Sequence, residues 1–117
     1  MNGVDEFAGK EAQWAQRATR AQAAAAQALE RLLNLAETRD SGQIRTVTRF
    51  IAATFDGQNF AFDLFDLRTV DVEISDDMLT CLDALRWGKA DLYKLVPQGQ
   101  ERILEICKAW GLEWPEN

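Results

Sequence analysis

At 117 residues the chain has room for one domain with its own core and no room for a second of ordinary size. An apolar fraction of 47% beside 27% charged residues excludes a wholly disordered chain, and the absence of histidine removes the most frequent general base and metal ligand together. The net charge of −6 is concentrated: residues 1–49 sum to +1, residues 50–83 to −7 and residues 84–117 to 0.

Residues 1–9 mix glycine and acids without periodicity and are expected to form a flexible N-terminus. From Lys10 to about Asp40 the composition is that of a strong helix former, free of glycine and proline. Trp14, Ala18, Ala21, Ala25, Ala28, Leu32 and Leu35 recur every three or four positions, an apolar seam that is small in its first half and leucine in its second. A helix of this length runs about 45 Å, longer than a domain of this size is wide, so part of it must project or be covered. Since alanines let another helix approach closely, the seam from Trp14 to Leu32 is open to two readings, self-association as an antiparallel homodimer or a solvated helix that alanine stabilises.

Asp40-Ser41-Gly42 ends that helix. In residues 43–55 threonine, valine, isoleucine and phenylalanine have strand propensity, but Ile44, Val47, Phe50 and Ile51 recur at helical spacing, and the helix template fits better than the strand. Asp56-Gly57-Gln58-Asn59 is a turn. Asp63 is placed to cap a short turn over 64–67, with Phe60, Phe62, Phe65 and Leu67 expected to plug the core. A third helix is predicted over 71–87, with Ile74, Met78, Cys81, Leu82 and Leu85 inward. Its first turns hold Asp71, Glu73, Asp76 and Asp77, where the helix dipole favours negative charge. Gly88 stops it, a turn follows over 91–96, and Pro97 suits the first position of a last helix over 98–110 with Ile103, Ile106, Cys107 and Trp110 inward. The fold class is therefore all-α: one long alanine-rich N-terminal helix and about four shorter ones. Residues 43–117 should form a compact helical domain that takes in the C-terminal half of the long helix.

The first ten residues hold an acidic pair where a signal peptide would want a basic start, and polar residues interrupt the most apolar window, Ala21 to Leu35. A cytoplasmic protein that does not enter a membrane is expected. Cys81 and Cys107 fit that setting as two lone thiols on apolar helix faces, lacking both CxxC spacing and a nearby base.

The run Phe62 to Arg68, a Phe-Asp-Leu-x-Asp-Leu-Arg stretch, continues through Asp71, Ile74, Asp76, Asp77 and Leu79 to Gly99 and the closing Ala109-Trp110-Gly111. Over about the last 55 residues of the chain it resembles an uncharacterised family of small proteobacterial proteins associated with plasmids and integrative elements. The resemblance implies no activity. It does imply a setting, since mobile elements carry small acidic proteins that disarm host defences, inhibitors of CRISPR surveillance complexes among them.

No glycine-rich phosphate loop is present, and neither Asp63 with Asp66 nor Asp71 with Glu73, Asp76 and Asp77 has the alternating spacing of a calcium loop. A carboxylate-metal enzyme is thus the weakest reading, and neither a metal nor a cofactor is expected. The arginines of the first two helices are dispersed among acids, unlike a phosphate-gripping cluster, so direct nucleic-acid binding is not expected either. Concentrated negative charge attracts a basic protein surface and speeds the encounter. Asp63, Asp66, Asp71, Glu73, Asp76, Asp77 and Asp83 are accordingly the expected partner-binding residues of a non-catalytic protein.

Overall fold

A computed structural model describes residues 3–115. It contains four α-helices, α1 (Gly3–Thr38), α2 (Gly42–Phe55), α3 (Val72–Trp87) and α4 (Gly99–Ala109), with 3-10 turns at Leu64–Thr69 and Leu92–Leu95. No strand occurs among the described residues. Helix α1 begins at Gly3 rather than Lys10, so residues 3–9, expected to fray, extend it. Thirty-six residues at about 1.5 Å each span most of the 58 Å long axis of the molecule.

The alanine seam decides how the long helix is used. Helix α3 lies antiparallel along α1: Arg31 meets Asp77, while Arg17 sits over the Trp87 ring. Ala18, Ala21, Ala25, Ala28 and Leu32 are all buried within the chain. The expectation of a homodimer seam running from Trp14 to Leu32 is corrected by this packing, because α3 of the same chain occupies the close approach that alanine permits. Only Trp14, beyond most of that cover, is exposed, at 44%.

Leu29, Leu32 and Leu33 form the centre of the core with Ile44, Val47 and Ile51 of α2, Met78 of α3 and Ile103 of α4. Complete burial of each such side chain contributes about 1.5–3 kcal/mol. Helix α2 is a helix as its spacing predicts, with Ile44, Val47, Phe50 and Ile51 inward. Buried Thr48 satisfies its hydroxyl by donating to the Ile44 carbonyl at 3.0 Å.

Helix α4 starts at Gly99, not at Pro97. Gln98 takes a positive φ of 56° just before it, and Gly99 lies so close to the preceding turn that a Cβ there would fall 1.9 Å from the Tyr93 carbonyl oxygen. After α4 the chain folds back: Trp110 Nε1 donates to the Ala36 carbonyl, and Trp114 packs edge-on to Phe60 while its Nε1 donates to Asp56 at 2.8 Å.

Two apolar residues expected inside are outside. Phe60 is buried, and Phe62 and Leu67 pack against the core, but Phe65 is 72% exposed. Phe65 lies in a 3-10 turn none of whose residues is buried. Leu85, expected inward on α3, is also exposed.

Candidate functional site

The carboxylates of residues 63–83 fall into two groups by what surrounds them. Four are engaged inside the chain. Asp63 caps the 3-10 turn by accepting from the Phe65 backbone N–H at 2.9 Å. Asp71 accepts from Gln43 Nε2 at 3.2 Å while Gln43 Oε1 accepts from the Asp71 N–H, which ties the start of α2 to the start of α3. Asp77 receives Arg31 through both carboxylate oxygens. Asp83 pairs with Arg86 one turn on at 2.7 Å, with both side chains about half exposed. The carboxylates of Asp66, Glu73 and Asp76 have no ion pair or hydrogen bond among the described residues. Glu73 and Asp76 are exposed, and Asp66 is half-buried.

The seven residues therefore do not act as one uniform face. Asp77 is oriented toward α1 and is 15% exposed at its side chain, so it is a packing residue more than a surface one. On α3 the exposed positions away from the core are Val72, Asp76, Leu79 and Asp83, at spacings of four, three and four, and the last two border an open cleft that Arg17 and Arg20 of α1 also line. Ile74, Met78 and Cys81 occupy the opposite, buried face. The outer stripe thus alternates an apolar side chain with a carboxylate. In the turn that leads into α3, Leu64 and Phe65 are exposed beside Asp63 and Asp66.

Spacing read for the core singles out none of these exposed apolar residues as a surface position, and Phe65 is expected in the core. Phase carries the missing signal for two of them: Val72 and Leu79 are seven apart and fall out of register with Ile74, Met78 and Cys81. For Leu64 and Phe65 no periodicity was available.

The other ionic cluster ties helices together. Arg102 of α4 donates from Nε and Nη2 to the two oxygens of Glu37, at 2.9 and 2.8 Å, and also meets Glu30. The hydrogen bond to Glu37 leads the effects that raise the guanidinium's pKa, so it stays charged although its side chain is only 17% exposed. Arg45 stacks over the Trp110 ring, 5.8 Å from its centroid.

Burial pushes the Cys81 thiol up to about 12, with Asp77 adding to the effect, and burial also raises Cys107. Thiols so placed are poor nucleophiles. Among the described residues no three cysteine, aspartate or glutamate side chains converge where a metal ion would sit. No described helix is long and apolar enough to cross a membrane.

A second exposed feature lies at the other end of α3. There Glu11, Trp14, Ala15, Trp87 and Lys89 line an open cleft of about 330 Å³ where α1 runs on past the end of α3. Phe7, two turns before Trp14 on the same side of α1, is 57% exposed.

Residues 26–111 match the model of a family of unknown function. The match takes in the C-terminal third of α1 together with α2, α3 and α4, and so reaches further than the last 55 residues on which the resemblance in sequence rests. No curated protein and no solved structure matches the chain.

Proposed function

The chain belongs to this family of unknown function, DUF7673, and from that premise we propose that it is a non-catalytic protein-binding factor whose acidic face engages a basic, nucleic-acid-binding surface of another protein. One observation carries the reading: among the described residues Asp66, Glu73 and Asp76 have no internal partner, in a segment where Asp63, Asp71, Asp77 and Asp83 all have one. Carboxylates that cap or brace the fold explain themselves, whereas these three are available to a partner. They would stand where phosphates otherwise stand in the partner's groove. The setting that the resemblance implies, a mobile element carrying an inhibitor of host defence, makes a CRISPR surveillance complex the first target to try.

The test is capture by the immobilised full chain from a proteobacterial lysate with an active CRISPR system, with and without nuclease, against an Asp66→Asn/Glu73→Gln/Asp76→Asn variant. One stoichiometric, nuclease-resistant, salt-sensitive partner, retained by the native protein and lost by the variant, supports the reading. Equal retention by the variant removes it.

The overhang of α1 favours a second reading, a homodimeric structural or adaptor module. An isolated helical segment of about ten residues is marginal in water, and this one carries exposed Phe7 and Trp14. A second copy laid antiparallel along these turns would cover both. Light scattering decides: a dimer mass at high micromolar concentration that reverts to monomer on Trp14→Ser supports it, and a monomer mass throughout ends it.

A further inference from the structure

Helix α2 carries two charged residues, Arg45 and Arg49, and no acid. Over residues 43–55 they are the two exposed side chains, one helical turn apart. With Thr48 of the same helix, and with Trp110 and Leu112 from the chain that follows α4, they line a cavity of about 30 Å³. None of these five residues is acidic. Arg31, Arg86 and Arg102 each pair with a carboxylate, whereas neither Arg45 nor Arg49 forms an ion pair among the described residues. Trp110 is a held wall of the cavity, because its Nε1 donates to the Ala36 carbonyl at 3.2 Å and Arg45 lies over its ring, 5.8 Å from the centroid. Stacking engages the flat face of a guanidinium and leaves its N–H donors unspent. The Thr48 hydroxyl already donates to the Ile44 carbonyl, so the side-chain donors on offer are those of the two arginines.

The geometry points to a binding site for a phosphate group, gripped between Arg45 and Arg49 against Trp110. The site uses none of the acidic residues and stands apart from the acidic-face reading. Size decides what enters: a cavity of about 30 Å³ admits an oxygen the size of a water and no aromatic ring, so one ligand oxygen sits inside and the rest of the group stays between the guanidiniums. Reach decides how it is held. Side chains at i and i+4 start about 5–6 Å apart, close enough for both arginine forks to meet one oxyanion. Charge decides which oxyanion: two cations and no acid in the lining balance a phosphate monoester of about −1.5 to −2 at pH 7, while a carboxylate would leave one cation unmatched.

The probe is inorganic phosphate, titrated into the full chain at constant ionic strength against chloride, with adenosine 5′-monophosphate as a second arm. Side-chain NMR signals of Arg45 and Arg49 and the indole signal of Trp110 are expected to shift and saturate at one phosphate per chain, while the indoles of Trp14, Trp87 and Trp114 stay in place. Arg49→Gln leaves the stack of Arg45 on Trp110 intact and, with its thermal midpoint in chloride unchanged, is expected to weaken phosphate binding about tenfold or more. Arg17→Gln, at another exposed arginine that lies over a tryptophan, is expected to leave it unchanged. Tighter binding of the nucleotide than of phosphate supports the site and makes a nucleotide the source of the group; equal or weaker binding supports it with free phosphate as the ligand. Shifts that do not saturate, equal shifts in chloride, or equal phosphate binding by Arg49→Gln overturn the inference.

Discussion

Arg31 of α1 and Asp77 of α3 are joined by two hydrogen bonds, Nε to Oδ2 at 3.0 Å and Nη2 to Oδ1 at 2.8 Å, across 46 positions of sequence. The pair fixes the register of the antiparallel helices and withdraws Asp77 from the surface. Its neighbour Asp76 is exposed and has no partner among the described residues. Adjacent carboxylates should therefore respond to opposite assays. Asp77→Asn is expected to lower stability by about 1 kcal/mol in urea titration, a modest figure because Arg31 is more than half exposed. Its effect on partner binding should be small. Asp76→Asn should leave the urea midpoint in place and weaken the partner complex. If Asp77→Asn abolishes binding with no change of midpoint, the division between the two is wrong. For the same reason a combined change of Asp71, Glu73, Asp76 and Asp77 is a poor test of function, since two of the four brace the fold.

Arg102 ties the end of α1 to α4 through Glu37 and Glu30. Arg102→Met removes the fork and leaves two partly exposed carboxylates facing each other. The expected cost is about 2 kcal/mol, below the figure for a fully buried pair because water reaches both glutamates. Arg102→Lys keeps the charge but cannot span both oxygens of Glu37 and reach Glu30 as well, so it should recover about half of the loss. Full recovery by lysine would show that charge alone matters and that the planar geometry does not.

How far the sequence discloses such features depends on distance along the chain. Within an element, three-and-four spacing was sufficient: Ile44, Val47, Phe50 and Ile51 make α2 a helix despite their strand propensity. The alanine face of α1 was equally legible, but its occupant was not. That Ala18, Ala21, Ala25 and Ala28 receive α3 of the same chain, and not a second copy, depends on a packing between segments some 50 residues apart that no local pattern encodes. The same holds for the candidate site. A concentration of carboxylates is visible in composition, whereas the split between Asp76 and Asp77 depends on where Arg31 arrives. Phe65 fails for another reason: outside a regular helix an aromatic residue carries no phase, and burial is then only a statistical expectation.

Two glycines should behave oppositely when given a methyl group. At Gly99 the new Cβ would fall 1.9 Å from the Tyr93 carbonyl oxygen and 2.9 Å from Val96 Cγ2, so the backbone joining the second 3-10 turn to α4 has to move. Gly99→Ala is expected to cost about 3 kcal/mol by urea titration. Gly9, inside α1 with nothing within 4 Å, has only conformational entropy at stake, and Gly9→Ala should stabilise by up to about 1 kcal/mol. Equal effects of the two substitutions would contradict the close approach at Gly99.

The carboxylate of Asp56 gathers the C-terminal tail and the turn after α2. It accepts from Asn59 Nδ2 at 2.7 Å and from Trp114 Nε1 at 2.8 Å, and these bonds, Asn59 first, hold its pKa below the usual carboxylate range. A group whose folded pKa is depressed binds protons more readily when unfolded. Its contribution is therefore complete above the ordinary value and is lost as pH falls through the folded one. Asp56→Asn keeps the shape of the side chain and removes the charge, so the thermal midpoint of the native protein should exceed that of the variant by a constant margin at neutral pH. The margin should close below about pH 4, where unfolded aspartate begins to take up its proton. Trp114, edge-on to Phe60 when docked, should shift its fluorescence to the red over the same interval as the tail releases. An equal midpoint for the two proteins at neutral pH would mean that the packing of Trp114 against Phe55 and Phe60, and not its bond to the carboxylate, holds the tail in place.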